Sequence, residues 1–404
     1  MNTSELTPAS LVSISKSPQE NREAKHIPEL DGIRGIAILV VLVSHFGSTA
    51  TGDSASLGKF LNEAFGLGWI GVDLFFVLSG FLITGILLDS KGSSRYFSNF
   101  YARRTLRIFP LYFIYVFVFF HVAMPIGRLT HHGEFIDTSG EIWYWLYLAN
   151  WWNGSGHSIK YLIHFWSLCI EEQFYFTWPL IVMLANRKAL KAICVTFVVL
   201  SPVLRVIFTT PGGTPPLYLY NYTPFRMEPI ALGALVALLM REDQPPTIVE
   251  RGMKYLWVPA LLAFAGMAIY SGTTGLAAVP ISRFGYTCID LTFASFIFFV
   301  SQSVRRNRQV EFLRNGVLRK CGKYSYGMYV LHMPIVIFLS IPLAYFFNRL
   351  SMNAPIAKVI VAIVVGTALT YVAALISWNV LENPFLRLKK RFSSEPKQAA
   401  ASAS

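Results

Sequence analysis

Long apolar runs separated by short polar segments dominate the chain. Several of these runs reach or approach the roughly 20 residues that a helix needs to cross a bilayer. They predict ten transmembrane helices, at about residues 33–48, 68–89, 108–126, 165–185, 189–208, 225–241, 255–271, 284–303, 326–347 and 355–381. The pattern therefore predicts an all-α polytopic membrane protein, with the helices arranged around an intramembrane cavity.

The aromatic stretch 143–152 is too short to cross a membrane unaided, and we interpret it as interfacial or re-entrant. With ten spans, most Lys and Arg fall on one side, in the loops around 91–107, 186–191, 241–254 and 304–323 and in the segment 387–391. Counting 142–152 as a span would place Arg187, Lys188 and Lys191 on the opposite side. The positive-inside rule then predicts that both termini are cytoplasmic.

The composition supports this class of protein. The chain has 404 residues, of which 54% are hydrophobic and 14% charged, whereas a soluble domain carries roughly a quarter charged residues. The net charge of +13 resides largely in the loops, so it does not indicate nucleic-acid binding. Four scattered cysteines predict neither a metal site nor a disulfide framework.

The domain organisation follows from the same pattern. We expect disordered cytoplasmic tails at 1–26 and 389–404 and one transmembrane domain over 27–388. The first tail lacks the apolar region of a signal peptide, so no cleaved leader is expected. The absence of an internal repeat weakens a transporter interpretation.

Two ionisable residues interrupt the first predicted span. Arg34 and His45 are eleven residues apart, which in a helix brings them within about 20° of the same face and about 16 Å apart along the axis. Ionisable groups are costly in hydrocarbon and usually face a protein interior or a wet cavity. The spacing predicts a site that extends across much of the membrane, although His45 could also be a packed hydrogen-bonding residue and Arg34 a topology anchor.

Carboxylates are predicted at a depth similar to that of His45. Asp73 lies near the outer end of the second span, and Glu171 and Glu172 lie in the outer half of the fourth. A histidine beside a carboxylate suits general-base chemistry on a hydroxyl, with Asp73 or Glu171 orienting His45. Asp73 could instead cap or pin a helix. Adjacent helical residues point about 100° apart, so one glutamate is expected to face the site, and Glu171 is favoured.

Arginines mark the opposite end of the predicted site. Arg104 and Arg107 are three residues apart and share a face if helical, and Arg103 adjoins them. Guanidinium groups bind phosphate oxygens bidentately. A base at one end and a phosphate clamp at the other indicate a donor with a long arm, such as an acyl-coenzyme A thioester. Arg103 could equally be a topology signal.

Further polar residues are candidates for lining the cavity: His332, Ser167 and Tyr326. His332 lies about two turns from the cytoplasmic end of its predicted span, so it is expected at a different depth from His45. His131, His132 and His157 are expected to be solvated loop residues.

Five sequence motifs resemble the acyltransferase-3 family of integral membrane acyltransferases. They are LDGIRG at 30–35, GVDLFFVLSGFLI at 71–83, RRTLRIFP at 103–110, WSLCIEEQFY at 166–175 and YGMYVLHMP at 326–334. They occur in the family's order and extend the resemblance over about residues 27–388.

The resemblance implies a role for several of these residues. A basic residue and a histidine eleven apart are essential in the family, which corresponds to Arg34 and His45, and its arginine pair on the acyl-CoA side corresponds to Arg104 and Arg107. The family acylates hydroxyls of cell-surface glycans and, in some members, small molecules such as macrolides. Many members carry an extracytoplasmic SGNH-type domain, for which we see no counterpart in this sequence, leaving open whether a separate partner is used.

We therefore expect an O-acyltransferase of the bacterial cytoplasmic membrane. It would move an acyl group, expected to be acetyl, from acyl-CoA to a hydroxyl of a cell-surface glycan or lipid-linked saccharide, with His45 as the general base. The transfer would be direct or through an acyl-enzyme, with no metal, and a small molecule such as a macrolide is an alternative acceptor. A transporter that uses His45 and the carboxylates as a proton relay is the main alternative, and a non-catalytic sensor is a third. Acyl-CoA-dependent product labelling would distinguish them.

Overall fold

The computed structural model describes residues 27–50, 57–129, 138–209, 213, 215–242, 247–350 and 354–392. The predicted tail 1–26, most of 389–404, and the loop residues His131 and His132 lie outside this part of the chain. Every regular element that the structure describes is a helix. Ten helices have 15 or more residues: α1 Pro28–Ser48, α2 Trp69–Ser90, α3 Tyr96–Val118, α4 Phe165–Leu184, α5 Arg187–Phe208, α6 Thr223–Leu239, α7 Trp257–Ser271, α8 Tyr286–Arg305, α9 Gly316–Arg349 and α10 Pro355–Ser377.

Shorter helical segments connect or extend these helices. The short α-helices are Leu57–Gly66, Met124–Leu129, Glu141–Trp145, Ala149–Gly154, Tyr218–Asn221, Thr247–Tyr255 and Asn383–Arg387. Three segments are π-helical, Phe119–Ala123, Ile281–Gly285 and Trp378–Glu382, and two are 3₁₀-helical, Glu311–Arg314 and Leu388–Phe392. Neither helix within 141–154 is long enough to cross a membrane.

Eight helices in the described chain are long and apolar enough to span a bilayer. They are α1–α3, α5 and α7–α10, with their short extensions. The other two long helices, α4 and α6, match predicted spans but fall below this threshold, because α4 carries Glu171 and Glu172 and α6 has only 17 residues. The prediction of an all-α polytopic membrane protein is confirmed, whereas the location of the termini stays a prediction.

Helix α1 packs against α2, α9 and α10. Glycines allow its backbone to touch the start of the α9 region, since a Cβ on Gly32 or Gly35 would overlap a backbone carbonyl of Leu313 or Leu318. From the α9 side, a Cβ on Gly322 would overlap the carbonyl of Asp31. Small residues commonly permit such close helix packing in membranes. This contact holds the segment that carries Arg34 against α9.

A second close contact joins α2 to α6. A Cβ on Gly80 would meet the Ile230 carbonyl, and a Cβ on Gly233 would meet the Val77 carbonyl. Most of α6 is buried, including Ile230, Ala234 and Val236. The paired glycines bring the faces of these two helices together, so that polar side chains on them can interact inside the bundle.

Candidate active site

A cavity lies between α2, α3, α4 and α9. Apolar side chains such as Val72, Phe75, Phe76, Leu78 and Ile108 form much of the wall. The polar lining comprises Ser79, Arg104, Arg107, Ser167, Glu171, Tyr175, Ser325, Tyr326 and Tyr329.

Arginines give one end of the cavity a positive charge. Within the described chain, neither Arg104 nor Arg107 makes a hydrogen bond or ion pair, although the Arg104 guanidinium lies 5.2 Å from the centre of the Tyr175 ring. Arg34 is close enough to both to interact electrostatically, and its Nη1 bonds the Asp31 carboxylate at 3.1 Å. The two lining guanidinium groups therefore present charge to the cavity.

Arg103 has a different environment from its neighbours. It does not line the cavity, and its Nε donates a hydrogen bond of 2.7 Å to the backbone carbonyl of Phe392. Lys389 lies in the same terminal 3₁₀ segment. Burial, followed by the positive charges of Arg107, Arg104, Arg103 and Arg34, lowers the pKa of Lys389 to about 8. The segment thus adds a fifth cation to this end of the site.

The two neighbouring glutamates on α4 face different surroundings. Glu171 lines the cavity, close to Ser79 and Arg104. Glu172 is not part of the lining, and its Oε1 is buried without a hydrogen-bond partner among the described residues. This geometry agrees with the expectation that one of the pair faces the cavity. The catalytic role of either residue stays a prediction.

His45 is held by the backbone of its own helix. Its Nδ1 lies 2.8 Å from the carbonyl oxygen of Val41. Because a carbonyl can only accept, Nδ1 carries the proton and Nε2 carries the lone pair. No carboxylate of the described chain hydrogen-bonds His45, so the tautomer is set by the backbone rather than by Asp73 or Glu171.

His332 lies against His45, with ring centres 4.9 Å apart and planes inclined by 70°. The expectation that His332 sits at a different depth was wrong, because α9 begins at Gly316, ten residues before the predicted start at 326. The Asn315 side chain caps this helix by accepting from the Val317 and Leu318 amides at 2.8 and 3.4 Å. His332 is therefore about 24 Å from the start of α9, in the middle of the helix.

Asp73 contacts an arginine, not His45. The Arg226 guanidinium donates to the Asp73 carboxylate, and both side chains are completely buried. Rings of Trp166, Tyr220 and Tyr286 surround Arg226, with centres 5.9, 5.0 and 4.7 Å from its Cζ. The structure thus gives Asp73 a structural partner, and its proposed part in catalysis stays a prediction.

A second buried ion pair lies next to the first, and sequence analysis did not identify it. Arg205 Nη2 donates to Glu228 Oε2 at 2.7 Å, again with no exposure of either side chain. Asp290 is also completely buried nearby. The sequence does contain a signal for this pair, because charged residues inside apolar spans are costly and mark functional or structural sites.

Several hydroxyl groups line the cavity on the side where Tyr329 contacts the histidines. Ser167 Oγ lies 2.6 Å from the hydroxyl of Tyr329, and the Tyr326 hydroxyl donates to the Ile108 carbonyl at 2.7 Å. The Tyr329 ring is 5.5 Å from that of His332. His45 is partly exposed but does not itself line the cavity. The lining residue Tyr329 thus contacts His332, which in turn contacts His45.

Comparison with known proteins places these residues in a family context. Residues 27–375 match a family model described as an acyltransferase domain. The chain is 30% identical over 382 residues to the YrhL protein of Bacillus subtilis (strain 168), an alignment that covers 89% of this chain and 55% of that protein. No solved structure gives a significant match.

Two further relatives have names that state an activity. The peptidoglycan O-acetyltransferase OatA of Listeria monocytogenes serovar 1/2a is 28% identical over 384 residues, covering 89% of this chain and 56% of that protein. The O-acetyltransferase OatA of Staphylococcus aureus (strain NCTC 8325 / PS 47) is 27% identical over 398 residues, covering 93% and 60%. The chain thus spans little more than half the length of these relatives. Because the family model covers most of the chain, and the helices and motifs agree with it, this multi-pass membrane protein belongs to the acyltransferase-3 family.

Proposed function

We propose that this protein transfers an acyl group, expected to be acetyl, from acyl-CoA to a hydroxyl group of a cell-wall glycan. The observation that carries the proposal is the arrangement of α1, which places Arg34 beside the lining residues Arg104 and Arg107 and His45, with a free Nε2, against His332, whose ring contacts the lining residue Tyr329. Such an arrangement fits a reaction between a long charged donor and a hydroxyl acceptor. The relatives named as O-acetyltransferases support the reaction class.

The cationic end would bind the phosphates of the donor. Arg104 and Arg107 line the cavity and form no ion pair or hydrogen bond among the described residues, although the carboxylate of Glu171 is near enough to interact with both. Guanidinium groups bind phosphate oxygens in a bidentate manner. Lys389 and Arg34 lie near enough to add to the positive potential. We infer that the adenosine phosphates remain at this end, while the pantetheine arm extends along the apolar walls toward Ser167 and Tyr329.

His45 would act as the general base. Its Nε2 accepts the proton of the acceptor hydroxyl while the hydroxyl oxygen attacks the thioester carbon. A bond then forms between this oxygen and the acyl carbon, the bond between the acyl carbon and sulfur breaks, and the proton passes finally to the thiolate of coenzyme A. Because His45 does not line the cavity and the contacts that lead to it run through Tyr329 and His332, we infer that a displacement of the Tyr329 ring would admit the thioester.

The acceptor is proposed from the relatives. Listeria monocytogenes OatA is named for peptidoglycan, and a glycan hydroxyl is the acceptor class that His45 chemistry would serve.

A reconstituted assay tests this proposal. The purified protein in liposomes would be supplied with [¹⁴C]acetyl-CoA and a soluble peptidoglycan oligosaccharide, and base-labile ester label on the glycan would be measured. We expect label with the parent protein and none above background with His45→Gln. Full labelling by a folded His45→Gln variant would overturn the role of the base, and movement of the glycan across the membrane without label would favour transport.

A further inference from the structure

Three short helical segments beyond α10 pack against α3, the helix that carries the arginines of the cavity. They are Trp378–Glu382, Asn383–Arg387 and Leu388–Phe392. Arg103 Nε on α3 donates a hydrogen bond of 2.7 Å to the carbonyl of Phe392. These contacts hold the terminal segment, residues 378–392, beside the cationic end of the cavity.

Glu382 fixes the other end of the terminal segment. Its side chain is 4% exposed and accepts a hydrogen bond of 3.1 Å from Ser377 Oγ. Its carboxylate is near enough to Arg107 to interact electrostatically. A Cβ on Gly327 of α9 would lie 3.1 Å from Glu382 Oε1, so the segment also packs against α9. The terminal segment is therefore held at both ends next to the cavity.

The cations at this end include an inner and an outer pair. Arg104 and Arg107, the inner pair, line the cavity from one face of α3. Arg103 is not part of the lining, since adjacent helical residues point about 100° apart. Lys389 does not line the cavity either, although it is close enough to Arg103, Arg104 and Arg107 to interact with their charges. Arg103 and Lys389 thus form an outer pair beside the inner one.

The outer pair has no counterion among the described residues. Neither Lys389 Nζ nor the two terminal nitrogens of Arg103 form a hydrogen bond or an ion pair within the described chain, and both side chains are partly exposed. Neighbouring arginines repel the charge of Lys389. Folding therefore assembles like charges, an arrangement that a bound anion would stabilise.

We propose that the outer pair binds the 3′-phosphate of coenzyme A, while the inner pair binds its diphosphate. This inference rests on the proposed use of acyl-CoA as the donor. Coenzyme A carries a diphosphate between its pantetheine arm and its ribose, and a separate phosphate monoester on the ribose 3′ oxygen. With the arm inside the cavity, the diphosphate meets the inner pair and the 3′-phosphate lies beyond it. The order of the phosphates along the donor matches the order of the cations.

The chemistry of the outer pair suits a phosphate monoester. Such a group carries a charge of about −1.5 to −2 at pH 7 and three strong acceptor oxygens. The guanidinium of Arg103 and the ammonium of Lys389 supply two positive charges with several N–H donors that the fold leaves free. A topology signal requires only that cations lie outside the bilayer, and it does not account for a lysine held among arginines.

The outer pair should therefore select coenzyme A thioesters over other pantetheine thioesters. The phosphopantetheine arm of an acyl carrier protein, for example, has no 3′-phosphate. A donor without this group loses the charge-assisted hydrogen bonds to Arg103 and Lys389 but keeps those to the inner pair. The terminal segment is thus a specificity element of the donor site, and it does not touch the reacting atoms.

Binding measurements without turnover test this assignment. The parent and its variants would be placed in nanodiscs of phosphatidylcholine, which has no net charge, and titrated in a calorimeter at pH 7 with coenzyme A and with 3′-dephospho-coenzyme A. We expect the parent to bind coenzyme A about tenfold more tightly than the dephospho form. Lys389→Gln should lower this ratio by about twofold to fivefold, by weakening the binding of coenzyme A alone.

The other variants separate the two pairs. Arg103→Gln should also lower the ratio, and its thermal midpoint would be measured because it loses a hydrogen bond of the fold. Lys389→Arg should keep the parent ratio. Arg104→Gln should weaken both ligands by the same factor, since both carry the diphosphate. Arg387, exposed in the same terminal segment, supplies the matched control Arg387→Gln, which should leave both dissociation constants at the parent values.

Equal weakening of both ligands by Lys389→Gln, or equal affinity of the parent for both, would overturn the 3′-phosphate assignment. The assignment is also wrong if Lys389→Gln leaves both constants unchanged and instead loses a thermal stabilisation by phosphatidylglycerol that the parent shows, because the outer pair would then bind lipid headgroups. These readouts do not depend on acyl transfer. If the parent discriminates between the ligands as expected while the liposome assay detects no transfer, the proposed reaction fails and the phosphate site stands.

Discussion

Asp73 and Arg226 form an ion pair between α2 and α6 in which neither side chain is exposed. The motif that contains Asp73 suggested that this carboxylate orients His45, whereas the structure gives it Arg226 as its partner. Two charges in a buried site are stabilised only by each other and by further hydrogen bonds, and removal of one partner leaves the other uncompensated. The contact therefore indicates that Asp73 holds the bundle together next to the site.

Asp73→Asn should destabilise the protein by about 3–5 kcal/mol, because Arg226 would lose its charged partner. The midpoint of thermal unfolding in detergent would fall accordingly, whereas kcat per folded molecule would stay near the parent value. The double variant Asp73→Asn with Arg226→Gln should recover part of the loss, since it removes the unpaired cation as well. A stable Asp73→Asn protein with a greatly reduced kcat would instead place Asp73 in catalysis.

Arg104→Gln and Arg107→Gln should each raise the KM for acyl-CoA by about tenfold to a hundredfold, which corresponds to the loss of one charge-assisted hydrogen bond to phosphate. The kcat should change little, because in the proposed mechanism these groups bind the phosphates of the donor and do not touch the reacting atoms. Steady-state kinetics with varied acyl-CoA would measure both constants.

Arg95→Gln is the matched control for these two variants. Arg95 precedes the same helix and is exposed, outside the cavity lining. The Arg95→Gln variant should have the same KM for acyl-CoA as the parent. Equal increases in KM for all three variants would mean that the general positive potential of this face, rather than the cavity, attracts the donor.

Sequence reasoning located the helices well because hydropathy and the positions of Lys and Arg are local signals. It failed for His332, since the polar start of α9 continues as a helix from the Asn315 cap without an apolar run to reveal it. It could not pair Asp73 with Arg226, because these residues are 153 positions apart and one sequence carries no record of such a contact.

Gly35→Ala should disrupt the contact between α1 and α9. A Cβ at this position would overlap the Leu318 carbonyl, and backbone cannot move aside as a flexible side chain can. Overpacking of this kind costs about 1–3 kcal/mol or more, so the thermal midpoint should fall and Arg34 should shift relative to the cavity. Gly266→Ala in α7 is the control, because its Cβ would meet nothing within 4 Å, and it should be neutral or slightly stabilising. Equal stability of both variants would contradict the close packing.

Lys389 should make donor binding depend on pH. Its pKa is lowered to about 8, so in the free protein it is largely protonated at pH 7 and loses its charge as the pH rises through 8. The phosphates of acyl-CoA are already ionised in this range, since their second pKa is near 6. Loss of the cation should therefore raise the KM for acyl-CoA between pH 7 and 9, by about twofold to fivefold for a partly exposed pair.

Lys389→Arg isolates this effect, because a guanidinium remains protonated throughout the range. The KM of this variant should stay low and nearly constant from pH 7 to 9, whereas that of Lys389→Gln should be high and equally constant. A KM that rises with pH in the parent and stays constant in both variants is expected only if Lys389 carries the titrating charge. A rise in KM of the same size in Lys389→Arg would assign the pH dependence to another group and remove Lys389 from the donor site.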